Sequence, residues 1–406
     1  MRAIEGKLNI VVWSCSMQKK YFLFIQFFLF VGCGSSSRDG LPTVDVFKKY
    51  PEKEIIIQHI ADIEYVQLET TPNVLLAGRG QRVFFVSEQY ILAINRVQGD
   101  VFVFSRNGKI ISHFNHTGRG PFEYIVIHDI IFDEQYGEIY VFNNSTNLIL
   151  VYSITGDCIR TIKYPSSNLR LNGYNFDDET LLVYDDYGVR LNRFREKPYM
   201  LLSKKDGSID TVINITMPVR NSNSIIVDVD VAGKDNLSQI LYINTPNNRY
   251  GGKDFVIGDI SSDTIYWLKK NKKQIPFITR IPSVHDTDPK ISFAPELTTD
   301  KFILLDVTTL NFKAITENKG SIQSSKLMYE FQTDRIYDIT LRNEDFPTME
   351  WEILSADVPE NMAIILIDAF TLVEALKEKK LKGKLAQLAT TLDEEDNPIL
   401  MIVHFK

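Results

Sequence analysis

The stretch Phe102-Val-Phe-Ser-Arg-Asn-Gly108-Lys-Ile-Ile111 decides the fold class of this chain, because its pattern recurs twice further along. The second copy is Leu150-Val-Tyr-Ser-Ile-Thr-Gly156-Asp-Cys-Ile159, and the third is Leu201-Leu-Ser-Lys-Lys-Asp-Gly207-Ser-Ile209. Each copy consists of an apolar strand, a turn that ends in glycine, and a second strand. Glycine supplies the positive φ that a tight hairpin turn demands. The three glycines are 48 and then 51 positions apart, which indicates a hairpin-based repeat of about 50 residues.

Further strands are predicted between the first two copies, over Tyr124–Phe132 and Glu138–Asn143. A unit of about 50 residues therefore contains about four short strands, which is the content of one propeller blade. The stretch from Leu75 to Lys406 accommodates six such units. We therefore predict an all-β fold, a six-bladed β-propeller over residues 54–406. A pair of β-sandwiches is the alternative, but sandwiches have no fixed period of this length.

Residues 364–392 break the strand pattern. The segment Asp368-Ala-Phe-Thr-Leu-Val-Glu-Ala-Leu-Lys-Glu-Lys-Lys380 has apolar residues at helical spacing and consists largely of strong helix formers. It predicts one or two amphipathic helices, interrupted at Gly383, that form a short helical insertion in the last blade and pack outside the ring.

Ring closure is a further requirement of the predicted fold, because an unpaired edge in the last blade would invite aggregation. Two strand-like segments precede the first blade, Glu54–Ile60 and Ile63–Leu68, and the chain ends with Pro398-Ile-Leu-Met-Ile-Val-His-Phe405. We predict that a segment within residues 54–68 completes the blade that contains residues 399–405.

The amino-terminal stretch Met17-Gln-Lys-Lys-Tyr-Phe-Leu-Phe-Ile-Gln-Phe-Phe-Leu-Phe-Val-Gly-Cys33 has the order of a secretory signal. Two lysines precede a short apolar run, and a small residue stands before the cysteine. The apolar run rises only about 16 Å as a helix, too little to span a bilayer core of roughly 30 Å. We predict a lipoprotein-type signal peptide over residues 1–32, with Met17 as the true start. Cys33 is then the lipid attachment site, and residues 33–53 are a lipidated tether.

The composition limits the classes of partner. The chain has 45 Lys and Arg against 52 Asp and Glu, a net charge of −7, and no long basic run, so we expect no nucleic-acid partner. Of the three cysteines only Cys158 would remain as a thiol in the mature chain. The mature fold must therefore be stabilised by core burial and not by disulfides.

Three further stretches point to a known family. They are His116-Thr-Gly118-Arg-Gly120-Pro121-Phe-Glu123-Tyr124, Asp263-Thr-Ile-Tyr266 and Glu395-Asp-Asn-Pro398-Ile-Leu-Met-Ile402. They resemble the interblade loop, a strand opening and the closing strand of the six-bladed propeller lipoproteins of Gram-negative bacteria, relatives of the NHL-repeat propellers. Phe122 replaces a glycine of the family's loop. The resemblance implies a propeller in the cell envelope, for which we expect the outer membrane with the acylated N-terminus in the lipid, and it implies no established reaction.

The interblade loop supplies the binding candidates of the sequence. Arg119, Glu123 and Tyr124 lie in it, and we expect Arg119 and Glu123 to face the channel mouth. The loop Gly118-Arg119-Gly120 is too short for a phosphate cradle, and a turn explains its glycines.

No catalytic, metal or cofactor site is predicted. His113 and His116 lie at a strand end, where a spacing of three does not align side chains, and no nearby Glu or Cys completes a ligand set with His128. Neither a nucleophile elbow nor a zincin motif occurs, so catalytic residues remain unknown.

Two functions are compatible with these observations. The favoured one is an envelope-exposed binding or interaction scaffold, whose loops present a surface to a glycan, a peptide or an envelope protein. The alternative is a propeller hydrolase or lyase with a metal in the central channel, which would need three or four Asp, Glu, Asn or His side chains converging on one point.

Overall fold

The computed structural model describes residues 40–76, 81–186, 195–221, 224–229, 237–242, 249–251, 254–311, 323–349, 353–354 and 356–406. The predicted signal peptide, Cys33 and the first part of the predicted tether lie outside these residues. No helix in the described part of the chain is long and apolar enough to cross a membrane.

Three short strands precede the first blade. In chain order the elements are β1 (Thr43–Asp45), β2 (Glu52–Ile56), the single helical turn α1 (Ile57–Ile60) and β3 (Ala61–Gln67).

Blades 1, 2 and 3 are four-stranded antiparallel sheets whose strands are adjacent in chain order. Blade 1 comprises β4 (Gln81–Val86), β5 (Tyr90–Asn95), β6 (Asp100–Ser105) and β7 (Ile110–Asn115). Blade 2 comprises β8 (Asp129–Asp133), β9 (Glu138–Asn143), β10 (Leu148–Ser153) and β11 (Cys158–Lys163). Blade 3 comprises β12 (Leu171–Asn175), β13 (Thr180–Asp185), β14 (Tyr199–Ser203) and β15 (Ile209–Val212). Strand β8 contacts both β4 and β12, so the first strand of each blade lines the centre of the ring.

Blades 4, 5 and 6 complete the ring. A hairpin of β16 (Ser224–Val229) and β17 (Leu237–Tyr242) comes before blade 4, which comprises β18 (Arg249–Gly251), β19 (Asp254–Ile257), β20 (Thr264–Lys269) and β21 (Gln274–Ile281). After a 3-10 turn at Val284–Asp286, blade 5 comprises β22 (Lys290–Thr298), β23 (Phe302–Leu310), β24 (Gln323–Glu330) and β25 (Arg335–Arg342). Blade 6 contains β26 (Met362–Ile367) and β27 (Ile399–Phe405). The predicted all-β, six-bladed propeller is confirmed.

The strands before blade 1 are added to the outer edges of the last three blades. β1 pairs in parallel with β21 of blade 4, β2 pairs in parallel with β25 of blade 5, and β3 pairs antiparallel with β27 of blade 6. Seven residue pairs join β3 to β27, from Ala61 opposite Phe405 to Gln67 opposite Ile399. The predicted closure between residues 54–68 and 399–405 is confirmed.

The predicted tether over residues 33–53 is wrong in its second half. β1 lies within that range, and β2 begins there at Glu52. Val44 is fully buried in the core between blades 4 and 5, so these residues belong to the folded ring. A strand of three residues is too short to show the alternation that identifies a strand, which is why the sequence did not reveal it.

The predicted helical insertion is confirmed, with a later start. It consists of α2 (Ala369–Lys377) and α3 (Gly383–Ala389), which connect β26 to β27. Leu372 and Leu385 are fully buried in a cluster that also contains Leu341 of blade 5 and Met401 of blade 6. The apolar stripes of both helices thus cover the core between the last two blades, while residues 364–367 belong to strand β26.

Side chains of the middle strands alternate between the two faces of a blade, and both faces are apolar. In β5, Ile91 packs toward Leu400 of blade 6, whereas Leu92 packs toward Val141 of blade 2. Each blade is therefore buried against both neighbours, and the core is a closed series of interblade layers.

The repeat glycines have a packing role besides their turn role. Gly108 and Gly207 adopt φ of +83° and +75°. A Cβ at Gly108 would lie 2.1 Å from the Gln67 carbonyl oxygen of blade 6, and one at Gly207 would lie 2.3 Å from the Lys163 carbonyl oxygen of blade 2. The turn of one blade thus touches the outer strand of the preceding blade, with no room for a side chain.

Candidate functional site

A polar cavity lies at the end of the ring where the first strands of blades 1 to 3 begin. The first two strands of a blade are antiparallel, so the second strand ends beside the start of the first. Gln81 at the start of β4 thus lies opposite Asn95 at the end of β5, and Leu171 at the start of β12 lies opposite Asp185 at the end of β13. The cavity measures about 210 Å³ and also reaches residues 356–357 of blade 6. Its polar lining residues are Arg82, Arg96, His128, Asp129, Asn144, Arg170, Asn172, Tyr174, Tyr184, Asp186 and Asp357.

Three arginines, Arg82, Arg96 and Arg170, supply the positive charges of the cavity. The Arg96 Nε donates to the carbonyl oxygen of Ile127 at 2.9 Å, which fixes that side chain against the loop between blades 1 and 2. Among the described residues, neither the Arg82 nor the Arg170 guanidinium makes a hydrogen bond or an ion pair. Arg82 is exposed and Arg170 is half-buried. A guanidinium is a strong bidentate donor to an anion.

Two carboxyl groups in the cavity bind protons unusually well. Burial raises the pKa of Asp129 to about 6, even though its Oδ2 accepts the Gly173 N–H at 2.7 Å. Burial also raises the pKa of Asp357 to about 7, and the nearby Lys270 only partly opposes that shift. At neutral pH both groups therefore lie close to their titration range, where they can accept or donate a hydrogen bond.

The position of Asp357 is set by the backbone. Its N–H donates to the Phe84 carbonyl oxygen at 2.8 Å, and its carbonyl oxygen accepts the Val86 N–H at 3.0 Å. These bonds place the segment before β26 beside β4, so blade 6 contributes a carboxyl group to a site built mainly by blades 1 to 3.

His128 is neutral in this site. Burial, followed by the charges of Arg96 and Arg170, lowers its pKa to about 4. The imidazole thus adds a hydrogen-bonding group and no charge at neutral pH.

A buried polar network supports one wall of the cavity. The Tyr184 hydroxyl donates to Asp259 Oδ2 at 2.6 Å and accepts a hydrogen bond from Arg220. Burial raises the pKa of Tyr184 well above its usual value, so the phenol stays protonated. Arg220 also donates to the Asp185 carbonyl oxygen at 3.3 Å, which links the wall to the end of β13.

A second cavity of about 330 Å³ adjoins the first, because His128, Asn144 and Arg170 line both. We refer to it as the outer groove. Its remaining lining residues are Ser145, Asn147, Ser167, Asn168 and Leu169. The Asn144 Oδ1 accepts hydrogen bonds from the Tyr164 hydroxyl at 2.7 Å and the Leu171 N–H at 3.0 Å. The boundary between the two cavities is therefore held by fixed side chains.

The binding candidates from the sequence lie elsewhere. Arg119, Glu123 and Tyr124 are in the loop between blades 1 and 2, and none of them lines either cavity. Tyr124 is fully buried, and its hydroxyl donates to the Gly99 carbonyl oxygen at 2.6 Å. Glu123 accepts the Gly120 N–H at 2.7 Å, while Arg119 is exposed. The predicted strand over Tyr124–Phe132 begins only at Asp129, because Tyr124 anchors the loop.

The three histidines are also separated by the fold. His113 contacts Asp100 at 2.9 Å and stacks on Phe102, and the ring of His116 contacts the Gly156 carbonyl oxygen at 2.7 Å. Only His128 lies in the cavity. Within the described ranges, no group of three or more His, Cys, Asp or Glu residues is placed to hold a metal ion.

The cavity residues were missed because they come from four different repeats. Arg82 and Asp129 are polar residues at the starts of two strands that continue with an apolar run, Gln81-Arg-Val-Phe-Phe-Val86 and Asp129-Ile-Ile-Phe-Asp133. The polar residues at the starts of these strands were visible in the sequence. They indicate a site only once the strands are known to be the inner strands of their blades. Asp186, which directly follows β13, also lines the cavity.

By its fold, the protein is a six-bladed β-propeller with a charged cavity at one end of its channel. The chain belongs to the family described as "Domain of unknown function (DUF4934)", which matches residues 41–404. No curated protein sequence matches the chain.

Solved structures are similar in fold. One is a "Putative exported protein" of Bacteroides fragilis NCTC 9343, with 15% identity and a TM-score of 0.60 over 90% of this chain and 100% of that one. Another is a DUF4221 family member from Bacteroides vulgatus ATCC 8482, with 9% identity and a TM-score of 0.40 over 86% of this chain and 99% of the other. The first comparison supports the propeller fold.

Proposed function

We propose that this protein is an exported ligand-binding module whose ligand occupies the cavity at the end of the ring. The observation that carries the proposal is the pair of guanidinium groups, Arg82 and Arg170, that line one cavity without a partner among the described residues. The same cavity contains three carboxyl groups, Asp129, Asp186 and Asp357. A concentration of charged groups with shifted pKa values around one small space is typical of functional sites.

The binding proposal is tested with a cavity-blocking variant. Asn172 lines the cavity on β12, so Asn172→Trp should fill it without removing a charge. We expect a ligand found on an array of envelope and plant polysaccharides, or of peptides, to lose at least about 90% of its signal with this variant. The matched control is Asn107→Trp, at an exposed turn residue outside both cavities.

A ligand retained equally by both variants would bind elsewhere on the ring, and the cavity proposal would be wrong. A peptide that depends on the cavity would support the site and identify the partner as a protein.

We also propose that the chain is a lipoprotein of the Gram-negative envelope, anchored in the outer membrane through Cys33. The support is the order of lysines, apolar run, Gly32 and Cys33 in the sequence. The description of the similar Bacteroides fragilis protein as exported agrees with this proposal.

Cys33→Ser should abolish acylation, because the serine hydroxyl cannot form the thioether to diacylglycerol. In a Gram-negative host, the variant is expected to move from the membrane fraction to the soluble periplasmic fraction and to incorporate no labelled fatty acid. Cys158→Ser is the matched control and should stay acylated. Label in the Cys33 variant would show that the lipid is attached elsewhere.

A further inference from the structure

We infer that the ligand is an acidic sugar, whose carboxylate lies in the inner cavity and whose further sugar units lie in the outer groove. The inference rests on the proposed function and adds the chemical class of the ligand. It depends on the contrast between two adjoining spaces, an inner cavity with several charged groups and a groove whose lining, apart from Arg170, consists of neutral side chains, mainly amides and hydroxyls.

The inner cavity has the chemistry of a carboxylate site. Arg82 and Arg170 line the same space of about 210 Å³, so an anion bound there lies in the field of both positive charges. Asp129 and Asp357 lie in the same cavity. A carboxyl group that is close to its titration range can accept from a sugar hydroxyl when ionised and donate to one when protonated. An anion with neighbouring hydroxyl groups can therefore bind the guanidinium groups through its charge and the carboxyl groups through its hydroxyls.

The outer groove has the chemistry of a hydroxyl site. Asn147, Asn168, Ser145 and Ser167 offer donors and acceptors without charge, which matches the mixed hydrogen bonding of a sugar ring. Arg170 lines both spaces and can therefore contact the acid group at the point where it joins the next sugar.

The combined space also fits an oligosaccharide of two or three units. The inner cavity of about 210 Å³ and the groove of about 330 Å³ together reach the range of roughly 300–1,000 Å³ that small-molecule sites occupy. The inner cavity alone is below that range, which is why we assign a single acidic unit to it.

The probes for calorimetric titration are trigalacturonate, galacturonate and the neutral maltotriose. We expect trigalacturonate to bind at least about 10-fold more tightly than maltotriose. Arg82→Gln and Arg170→Gln should each weaken trigalacturonate binding about 10–100-fold, because each removes a charge-assisted hydrogen bond. Neither substitution removes an ion pair among the described residues, so both variants should fold normally.

Two further variants separate the two spaces. Asn168→Ala should weaken binding of trigalacturonate several-fold and leave galacturonate unchanged, because the monomer does not reach the outer groove. Arg335→Gln is the matched control for charge, since Arg335 is exposed on blade 5 and lines neither cavity. Arg119→Gln tests the interblade loop, and a loss there without a loss in Arg170→Gln would move the site to that loop.

The pH dependence provides an independent readout. As the pH falls from 8 to 6, Asp129 and Asp357 take up protons and cease to repel an anion, so trigalacturonate binding should strengthen. The double variant Asp129→Asn, Asp357→Asn should bind at pH 8 at least as tightly as the native protein does at pH 6, where Asp129 is still partly ionised. The charged or titratable groups that act on these two carboxyls are Arg82, Arg96, Tyr164, Lys270 and Glu134.

The outcomes distinguish the inference from the proposed function. Equal binding of maltotriose and trigalacturonate would overturn the acidic-sugar assignment, and so would sulfate alone binding as tightly as trigalacturonate. A sulfated trisaccharide that is clearly preferred would overturn the carboxylate assignment in favour of a sulfate ester. If only a peptide or a neutral glycan bound, in a manner blocked by Asn172→Trp, the inference would fail while the proposed function stood.

Discussion

A chain that begins at Glu69 is expected to melt at least about 10 °C below a chain that begins at Leu41, or to fail to fold. The shorter chain lacks β1, β2 and β3. Without β3, β27 becomes an open edge, although its first five residues, Ile399–Val403, are fully buried in the intact ring. The deletion removes the seven residue pairs between β3 and β27 and the apolar contacts of Val66. Together these interactions are worth several kcal/mol. Thermal unfolding followed by circular dichroism measures the difference.

Two further forms make this test specific to closure. A chain that begins at Glu52 lacks β1 but keeps β2 and β3, so it should lose much less stability. Asn397→Ala is a milder change, because it weakens the closure contact but keeps all strands. The Asn397 side chain accepts the Leu76 N–H at 2.6 Å and donates to the carbonyl oxygens of Glu69 and Val74, which fixes the chain after β3 against the start of β27. Equal melting temperatures for the chains that begin at Leu41 and Glu69 would contradict closure by β3.

Gly207→Ala is expected to reduce the free energy of unfolding by about 3 kcal/mol or more. The positive φ at this residue alone costs an alanine about 1–2 kcal/mol. The added Cβ would also lie 2.3 Å from the Lys163 carbonyl oxygen, so the turn of blade 3 would have to move away from blade 2. Urea unfolding of the folded variant measures this loss.

Gly137→Ala is the matched control for that variant. Gly137 has a φ of +63°, but the nearest atom to an added Cβ is the flexible end of Ile154 at 3.5 Å. Its substitution should therefore cost only the backbone term of about 1–2 kcal/mol. If the two variants were destabilised equally, the repeat glycine would act through its turn alone and not through interblade contact.

The fold was predictable because its signals are local or lie at the ends of the chain. The hairpin around Gly108 is a short-range pattern, and its repetition at about 50 residues gives the blade count. The closing strand was predictable because a ring needs one, and few apolar segments precede blade 1. The parallel additions of β1 and β2 were not, because both strands are short and their partners lie more than 200 residues away.

The candidate site was not predictable for a different reason. Arg82, Asp129, Arg170 and Asp357 come from four segments, and nothing in their spacing along the chain relates them. Only the arrangement of the inner strands around one axis brings them together. The interblade loop was predicted as a binding site because it has a recognisable motif. In the structure that motif holds Tyr124 in place through hydrogen bonds of its hydroxyl group.

The pairing of β1, β2 and β3 with the last three blades has a consequence for the order of folding. These strands leave the ribosome first, but their partners in blades 4, 5 and 6 are synthesised last. Each contact therefore closes a very long loop, which gives a high contact order and slow folding. Until the final strand is available, the first blades present an open interface that neighbouring chains can bind. A ring that closes in this way is therefore compatible with a pathway in which the whole chain reaches its destination before it folds.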